Sequence, residues 1–204
     1  MPAIGITGGI ATGKSAFCDC LREILPKAKF FNADIAAREV VDLADVRQEL
    51  RREFGEEIFS AGGELNRAQL RAIVFASADR RSALEKILHP RIRRRWSAEA
   101  QSHRQSPNDY FFADIPLLYE TAGETLCDRV VVVACAREIQ LERLLARMQI
   151  KREEAEQIIN SQMSLPEKMS RADHVVWNDG GRDVLKAQAQ LLVDLWQTEK
   201  WTTK

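Results

Sequence analysis

No stretch of this chain is apolar for long enough to cross a bilayer. No sign of charge dominates either: 30 Lys plus Arg stand against 30 Asp plus Glu, for a net charge of zero. A chain that works on nucleic acid is usually basic, so neither nucleic acid nor a membrane is expected as a partner. Cysteine is sparse and scattered, at Cys18, Cys20, Cys127 and Cys135, without the spacing of a zinc site. Reduced core thiols in a cytosolic protein are the expectation. Cys18 and Cys20 stand two apart on an expected helix and should therefore face different ways. Repeats and low-complexity segments are missing. The amino end opens directly on a strand pattern, so no signal or transit peptide is expected. A length of 204 residues suits one α/β domain with a small insert and a well-filled core.

What is present begins at once. Gly8-Gly9-Ile10-Ala11-Thr12-Gly13-Lys14-Ser15 is a glycine, four residues, then Gly-Lys-Ser, the P-loop pattern. Its glycines permit a tight turn that aims successive N–H groups inward as an anion nest. The helix that follows, starting near Lys14-Ser15-Ala16, points its positive end at the same place. In that pattern Lys14 reaches the β- and γ-phosphates of a nucleotide, and the Ser15 hydroxyl takes Mg²⁺. The context agrees: Ala3, Ile4 and Ile6 read as a buried strand, and Phe17, Leu21, Ile24 and Leu25 form a helical stripe that stops at Pro26.

Two acids follow strand patterns. Lys29-Phe30-Phe31 reads as a second strand ending at Asn32-Ala33-Asp34, where open α/β sheets place their ligands. Asp34 is a candidate to accept the proton of an attacking hydroxyl or to help hold Mg²⁺; it is equally placed to cap the helix that begins at Ile35. Tyr110 to Ile115 reads as a third strand carrying Asp114, the usual acidic partner of a P-loop and a candidate Mg²⁺ ligand. Val130 to Val133 and His174 to Trp177 read as strands four and five. Asn178-Asp179-Gly180-Gly181 turns the chain outward, and Val184 to Trp196 stripes a closing helix.

Between strands two and three the pattern is helical. His89-Pro90 is expected to break one helix and start the next, with Pro90 in its first turn. Arg91, Arg93, Arg94 and Arg95 would then crowd a helix start against its dipole, as either a solvated face or an anion site. Ser106-Pro107-Asn108 signals a loop, and the tail from Lys200 is expected to fray. After strand four, Leu141, Leu144, Leu145 and Met148 share one helix face, with Gln140, Arg143 and Arg147 opposite. Arginines there are either a phosphate-clamping lid or a solvated face. A further helix is expected over Arg152 to Met163.

Taken together, the chain resembles the bacterial dephospho-CoA kinase family over nearly its whole length. The resemblance is carried by Thr7-Gly8-Gly9-Ile10 leading into Gly13-Lys14-Ser15, Ala33-Asp34 with Arg38, Leu84-Glu85, His89-Pro90, and Ile115-Pro116-Leu117-Leu118 with Glu120. Gln140 with Arg143 and Arg147, Gln162, Ala172-Asp173 and Asn178 complete it. The P-loop is shared by many unrelated enzymes; the other segments in this order are far more specific.

The resemblance implies ATP- and Mg²⁺-dependent phosphorylation of the ribose 3′-hydroxyl of dephospho-CoA, the last step of CoA synthesis. It implies a cytoplasmic monomer or small homo-oligomer with a three-layer P-loop fold, a five-stranded parallel sheet flanked by helices. Residues 1–33 and 109–204 would form the nucleotide core, with a mobile lid at about 137–163, and residues 34–108 a helical insert for the acceptor. Carried onto this chain, Asp34 is the base. Lys14, Arg143 and Arg147 meet phosphate; Gly9 through Ala16 and Asn178 hold ATP; Arg38, His89 and Leu117 join Asp34 at the acceptor; Ser15 and Asp114 hold Mg²⁺. Family members commonly carry Asp where Asn32 stands, a Pro-Gly turn where Asp42-Leu43-Ala44-Asp45 stands, and an aliphatic residue in place of Trp177. Two other readings share some of these features. A nucleoside monophosphate or other small-molecule kinase shares the core and differs in its acceptor pocket. A nucleotide-dependent switch of the GTPase kind would carry Asn-Lys-x-Asp, and Asn178-Asp179-Gly180-Gly181 lacks the lysine.

Overall fold

The computed structural model describes residues 2–60, 62–103, 110–198 and 201; the expected loop at 106–108 and the tail from Lys200 onward, Trp201 apart, lie outside them. Five parallel strands form one sheet: β1 (Ala3–Gly8), β2 (Lys29–Asn32), β3 (Phe111–Asp114), β4 (Arg129–Ala134) and β5 (His174–Trp177). Their order is β2-β3-β1-β4-β5. Every residue of β1 is buried, as befits the middle strand of a parallel sheet covered on both faces. The connection leaving β1 runs toward β2 and the one leaving β3 runs toward β4. The switch point of this topology therefore lies beyond the carboxyl ends of β1 and β3, where such sheets bind ligands. The register puts Ile6 and Asn32 on either side of Asp114.

Helix α1 (Lys14–Ile24) carries the stripe expected of it and is flanked by the sheet and by α9 (Arg182–Thr198). Cys18 and Cys20, two apart on α1, are nevertheless both buried. A helix covered on two sides has no solvated face for either thiol; both join the core of Ile4, Phe17, Leu21, Phe112, Val131 and Trp196. Burial pushes the Cys18 thiol up to about 12, with Asp114 adding to the effect. After β4 come α6 (Arg137–Met148), α7 (Arg152–Asn160) and α8 (Leu165–Ser170). Helix α7 ends before Met163, where the sequence pattern would extend it; the Ser161 N–H closes the last turn on Gln157 and Ile158 carbonyls.

The described residues form two compact units, one from 1–33 with 99–204 and the other from 34–98. The second is helical: α2 (Ala33–Val41), α3 (Ala44–Phe54), α4 (Arg67–Ala76) and most of α5 (Ala78–His103). Val40, Val46, Leu50, Phe54, Ile58, Leu70 and Leu88 are its core. The sequence suggests two helices meeting at His89-Pro90, but α5 runs unbroken with Pro90 inside it. Proline removes a hydrogen bond and crowds the preceding turn. Arg91 lies at that step: its Nη1 donates to the Ile87 carbonyl at 2.8 Å, and its Nη2 to Glu49 at 2.6 Å and Asp45 at 3.0 Å. Arg95 pairs with Glu39. These arginines are therefore mid-helix residues, and the dipole conflict does not arise. Among the described residues no helix is long and apolar enough to cross a membrane.

Candidate active site

The site starts from backbone. Between β1 and α1 the chain turns through Ala11 at φ 60° and Gly13 at φ 93°. At Gly13 a side chain is excluded twice over: the torsion is left-handed, and an added Cβ would strike the Asn178 amide. The buried Thr12 holds the turn from inside, its hydroxyl donating to the Gly9 carbonyl at 2.9 Å. Beyond Gly13 the first N–H groups of α1, at Lys14, Ser15 and Ala16, have no intrahelical acceptor and sit at the positive end of its dipole. This is an anion cradle built from main chain.

Its cationic and anionic side chains are adjacent. The Lys14 ammonium pairs with one oxygen of Asp114, and Asn32 Nδ2 donates to the other at 3.0 Å. Asp114 is 3% exposed. Ser15 is exposed on the first turn of α1. Among the described residues no group of His, Cys, Asp and Glu is assembled to hold a metal alone. Ser15 and Asp114 supply oxygen only, which fits a hard cation such as Mg²⁺ that completes its shell with phosphate and water.

Helix α6 meets the P-loop from outside. Gln140 Nε2 donates to the Ile10 carbonyl at 2.7 Å, and the Ile10 N–H donates to Gln162 at 3.0 Å. Two glutamine side chains thus hold the two peptides that flank Ile10. Asn178 Nδ2 donates to the Thr12 carbonyl at 2.9 Å, and Arg143 reaches the Asn178 carbonyl at 2.9 Å and that of Thr12 at 3.4 Å. The polar face of α6 is therefore not simply solvated. Gln140 is 2% exposed, because the loop peptides replace water as its partners. Arg147, on the last turn of α6, is exposed.

Several of the expected site residues share this unit and others do not. Lys14, Asp114, Arg143 and Asn178 converge on the P-loop, and Leu117 lies half-buried in the turn after β3. Asp34, Arg38 and His89 belong to the helical unit. Asp34 is exposed in the first turn of α2; the helix starts at Ala33, so Asp34 is a first-turn residue, not its cap. Arg38 is exposed one turn on, its carbonyl accepting from Arg67 at 3.2 Å. His89 is half-buried on α5, and burial lowers its pKa against the opposing pull of Glu85.

One residue escapes the sequence reading. Lys168 on α8 is 0% exposed. Its ammonium donates to the Pro116 carbonyl at 2.9 Å and the Gly8 carbonyl at 3.4 Å, and pairs with Glu120 at 2.9 Å. Burial lowers its pKa, with Glu120 opposing. The available signal was Ser164-x-x-Glu167, a helix-start pattern in which the Ser164 hydroxyl accepts the Glu167 N–H at 3.3 Å. That signal locates the helix but not the burial.

The family model described as Dephospho-CoA kinase matches residues 2–183. A dephospho-CoA kinase of Bacillus cereus (strain ATCC 10987) is 39% identical over 194 residues, covering 95% of this chain and 96% of its own length. One from Geobacillus kaustophilus is 40% identical over 195 residues, with coverage of 95% and 96%. Among solved structures, the Thermus thermophilus protein TT1252 superposes with a TM-score of 0.78 at 32% identity, covering 98% of each chain. The dephospho-CoA kinase of Campylobacter jejuni gives 0.66 at 26% identity, covering 95% of this chain and 96% of that one. A shikimate kinase from Aquifex aeolicus, at 13% identity and a TM-score of 0.54 over 96% of this chain and 98% of its own, shares the fold.

Proposed function

The chain belongs to the dephospho-CoA kinase family, and from that premise we propose how its residues phosphorylate dephospho-CoA at the expense of ATP. The γ-phosphoryl group passes in line to the ribose 3′-hydroxyl. The hydroxyl O–H breaks as its oxygen bonds phosphorus, the bond from phosphorus to the β-phosphate oxygen breaks, and CoA and ADP leave. Such a transition state needs alignment and charge neutralisation more than covalent help.

The P-loop N–H groups and Lys14 take the polyphosphate, Lys14 exchanging its Asp114 partner for phosphate oxygen. Ser15 and Asp114 would hold Mg²⁺, which when bound would offset the negative charge of the phosphates. Asp34, exposed at the start of α2, takes the acceptor proton. Arg147, exposed on α6, closes on the transferring group, and Arg143 holds the Thr12 and Asn178 carbonyls behind it. Asn178 offers its Oδ1 to the adenine amino group. Arg38, His89 and Leu117 contribute to the acceptor site, for which residues 34–108 supply the helical frame. Lid closure over about 137–163 excludes water, the competing acceptor. The reading carries with it a cytoplasmic monomer or small homo-oligomer.

The observation that supports it most is the Lys14–Asp114 pair beside a main-chain anion cradle at the switch point of the sheet. An ADP-release assay with ATP, Mg²⁺ and dephospho-CoA tests it. One ADP is expected per CoA formed; transfer to a nucleoside monophosphate with none to dephospho-CoA would overturn it.

A further inference from the structure

We infer that Lys168 is a positioning residue for nucleotide binding: its buried ammonium joins α8 to the first carbonyl of the P-loop and to the backbone just past Asp114. It thereby sets the spacing of the two walls of the phosphate site. The inference rests on the phosphoryl-transfer reading above.

An ammonium has three hydrogens, and here Pro116, Gly8 and Glu120 all present oxygens to it. Gly8 ends β1, and Pro116 lies two residues past the end of β3. These strands are neighbours, paired in register at Ile6 and Asp114. The two carbonyls therefore belong to segments that diverge at the switch point, one into the P-loop and one away from Asp114. Lys168 bridges them. The Thr7 hydroxyl donates to the same Pro116 carbonyl at 3.0 Å, so the wall past Asp114 is held from β1 and from α8 together. Glu120 uses the same oxygen, Oε1, to accept the Met163 N–H at 3.0 Å, which fixes the chain between α7 and α8. Gln162, one residue earlier, grips Ile10.

Stability alone is a poor account of this arrangement. Taking an ammonium out of water is costly, and replacing a buried ion pair by apolar groups is often neutral or stabilising. What an apolar residue lacks is the power to hold two carbonyls at fixed spacing.

The test uses the double variant Lys168→Met/Glu120→Gln, which leaves no unpaired buried charge and keeps an oxygen for the Met163 N–H. Its Tm is expected to stay within about 3 °C of the parent. The ADP dissociation constant should rise at least ~10-fold, while the KM for dephospho-CoA moves less than about twofold. ADP affinity within twofold of the parent in the folded variant overturns the inference. So does a parallel rise for both ligands, which would mean general loosening. Should the double variant not fold, Lys168→Gln removes the charge and keeps one N–H donor. A rise of at least ~5-fold in its ADP dissociation constant, with the dephospho-CoA KM unmoved, supports the assignment; a smaller rise overturns it. Turnover of dephospho-CoA by the parent tests the reaction itself, so the two ideas can fail separately.

Discussion

Asn32 donates its amide N–H to Asp114 across adjacent strands, 3.0 Å from the oxygen that Lys14 leaves uncovered. An aspartate there would change local charge with almost no change of shape. Asn32→Asp removes the donor and sets a second carboxylate against Asp114. Without Mg²⁺ the variant should lose about 1–3 kcal/mol of stability, the usual cost of a broken buried hydrogen bond. Millimolar Mg²⁺ should restore most of it. Thermal melts with and without the ion check this, and an unchanged Tm without Mg²⁺ would show that the amide contributes nothing.

The role given to Asp34 makes a different kind of claim, about chemistry and not folding. Asp34 is exposed in the first turn of α2, and Asn is close to it in size, so Asp34→Asn should melt near the parent. Removing a general base costs about 10²–10⁴ in rate. The variant is expected to keep ADP affinity and lose kcat on that scale in the ADP-release assay. Normal turnover would remove Asp34 from the mechanism.

Arg143 and Arg147 should separate cleanly. Arg143 is tied to the Thr12 and Asn178 carbonyls, and its removal undoes packing of α6 on the P-loop. Arg143→Ala should lower both Tm and ADP affinity. Arg147 is exposed; Arg147→Ala should leave Tm unchanged yet slow transfer by about 10³, the scale of an arginine that neutralises transferring phosphate. A loss under about threefold would put Arg147 on the solvated face.

These contrasts mark how far the sequence could be read. Strands and the P-loop were legible because parallel strands are continuous apolar runs and the loop has fixed spacing. Asp114 was legible as the acid beside the P-loop because it ends a strand; its pairing with Lys14 was not. Gln140, Gln162 and Lys168 were harder to place. Their partners are main-chain carbonyls and N–H groups remote in sequence, and a polar side chain gives no sign whether water or a peptide satisfies it. Pro90 misled for a local reason. Proline usually bounds a helix; here α5 runs on through it, and the side chain of Arg91 ties the next turn to Glu49 and Asp45 on α3, partners that local pattern does not reveal.

His89 gives a pH dependence with a definite sign. Burial holds its folded pKa below 6.5, so the folded protein resists a proton that the unfolded chain accepts. Its contribution is complete above pH 6.5 and is lost as pH falls through the lowered value. Tm should therefore decline on the acid side of pH 6.5, and His89→Gln should flatten that decline. An identical slope in parent and variant would assign the decline to other groups.

Gly13 tests the cradle most directly, through a cycle and not a single change. Gly13→Ala meets two obstacles. One is the left-handed torsion of φ 93°, worth about 1–2 kcal/mol to a residue with Cβ. The other is collision with the Asn178 amide, which must then leave the Thr12 carbonyl it holds at 2.9 Å. Asn178→Ala alone gives up that hydrogen bond but opens the space, leaving the added Cβ an ordinary contact with Arg143 at 3.7 Å. In the double variant the collision is gone and only the torsional cost and the lost hydrogen bond remain. Its loss of ADP affinity should therefore fall short of the sum of the single losses by about 0.5–3 kcal/mol, the range for residues in contact. Strict additivity would show that the torsion alone forbids a side chain here, and that Asn178 does not shape the loop through Gly13.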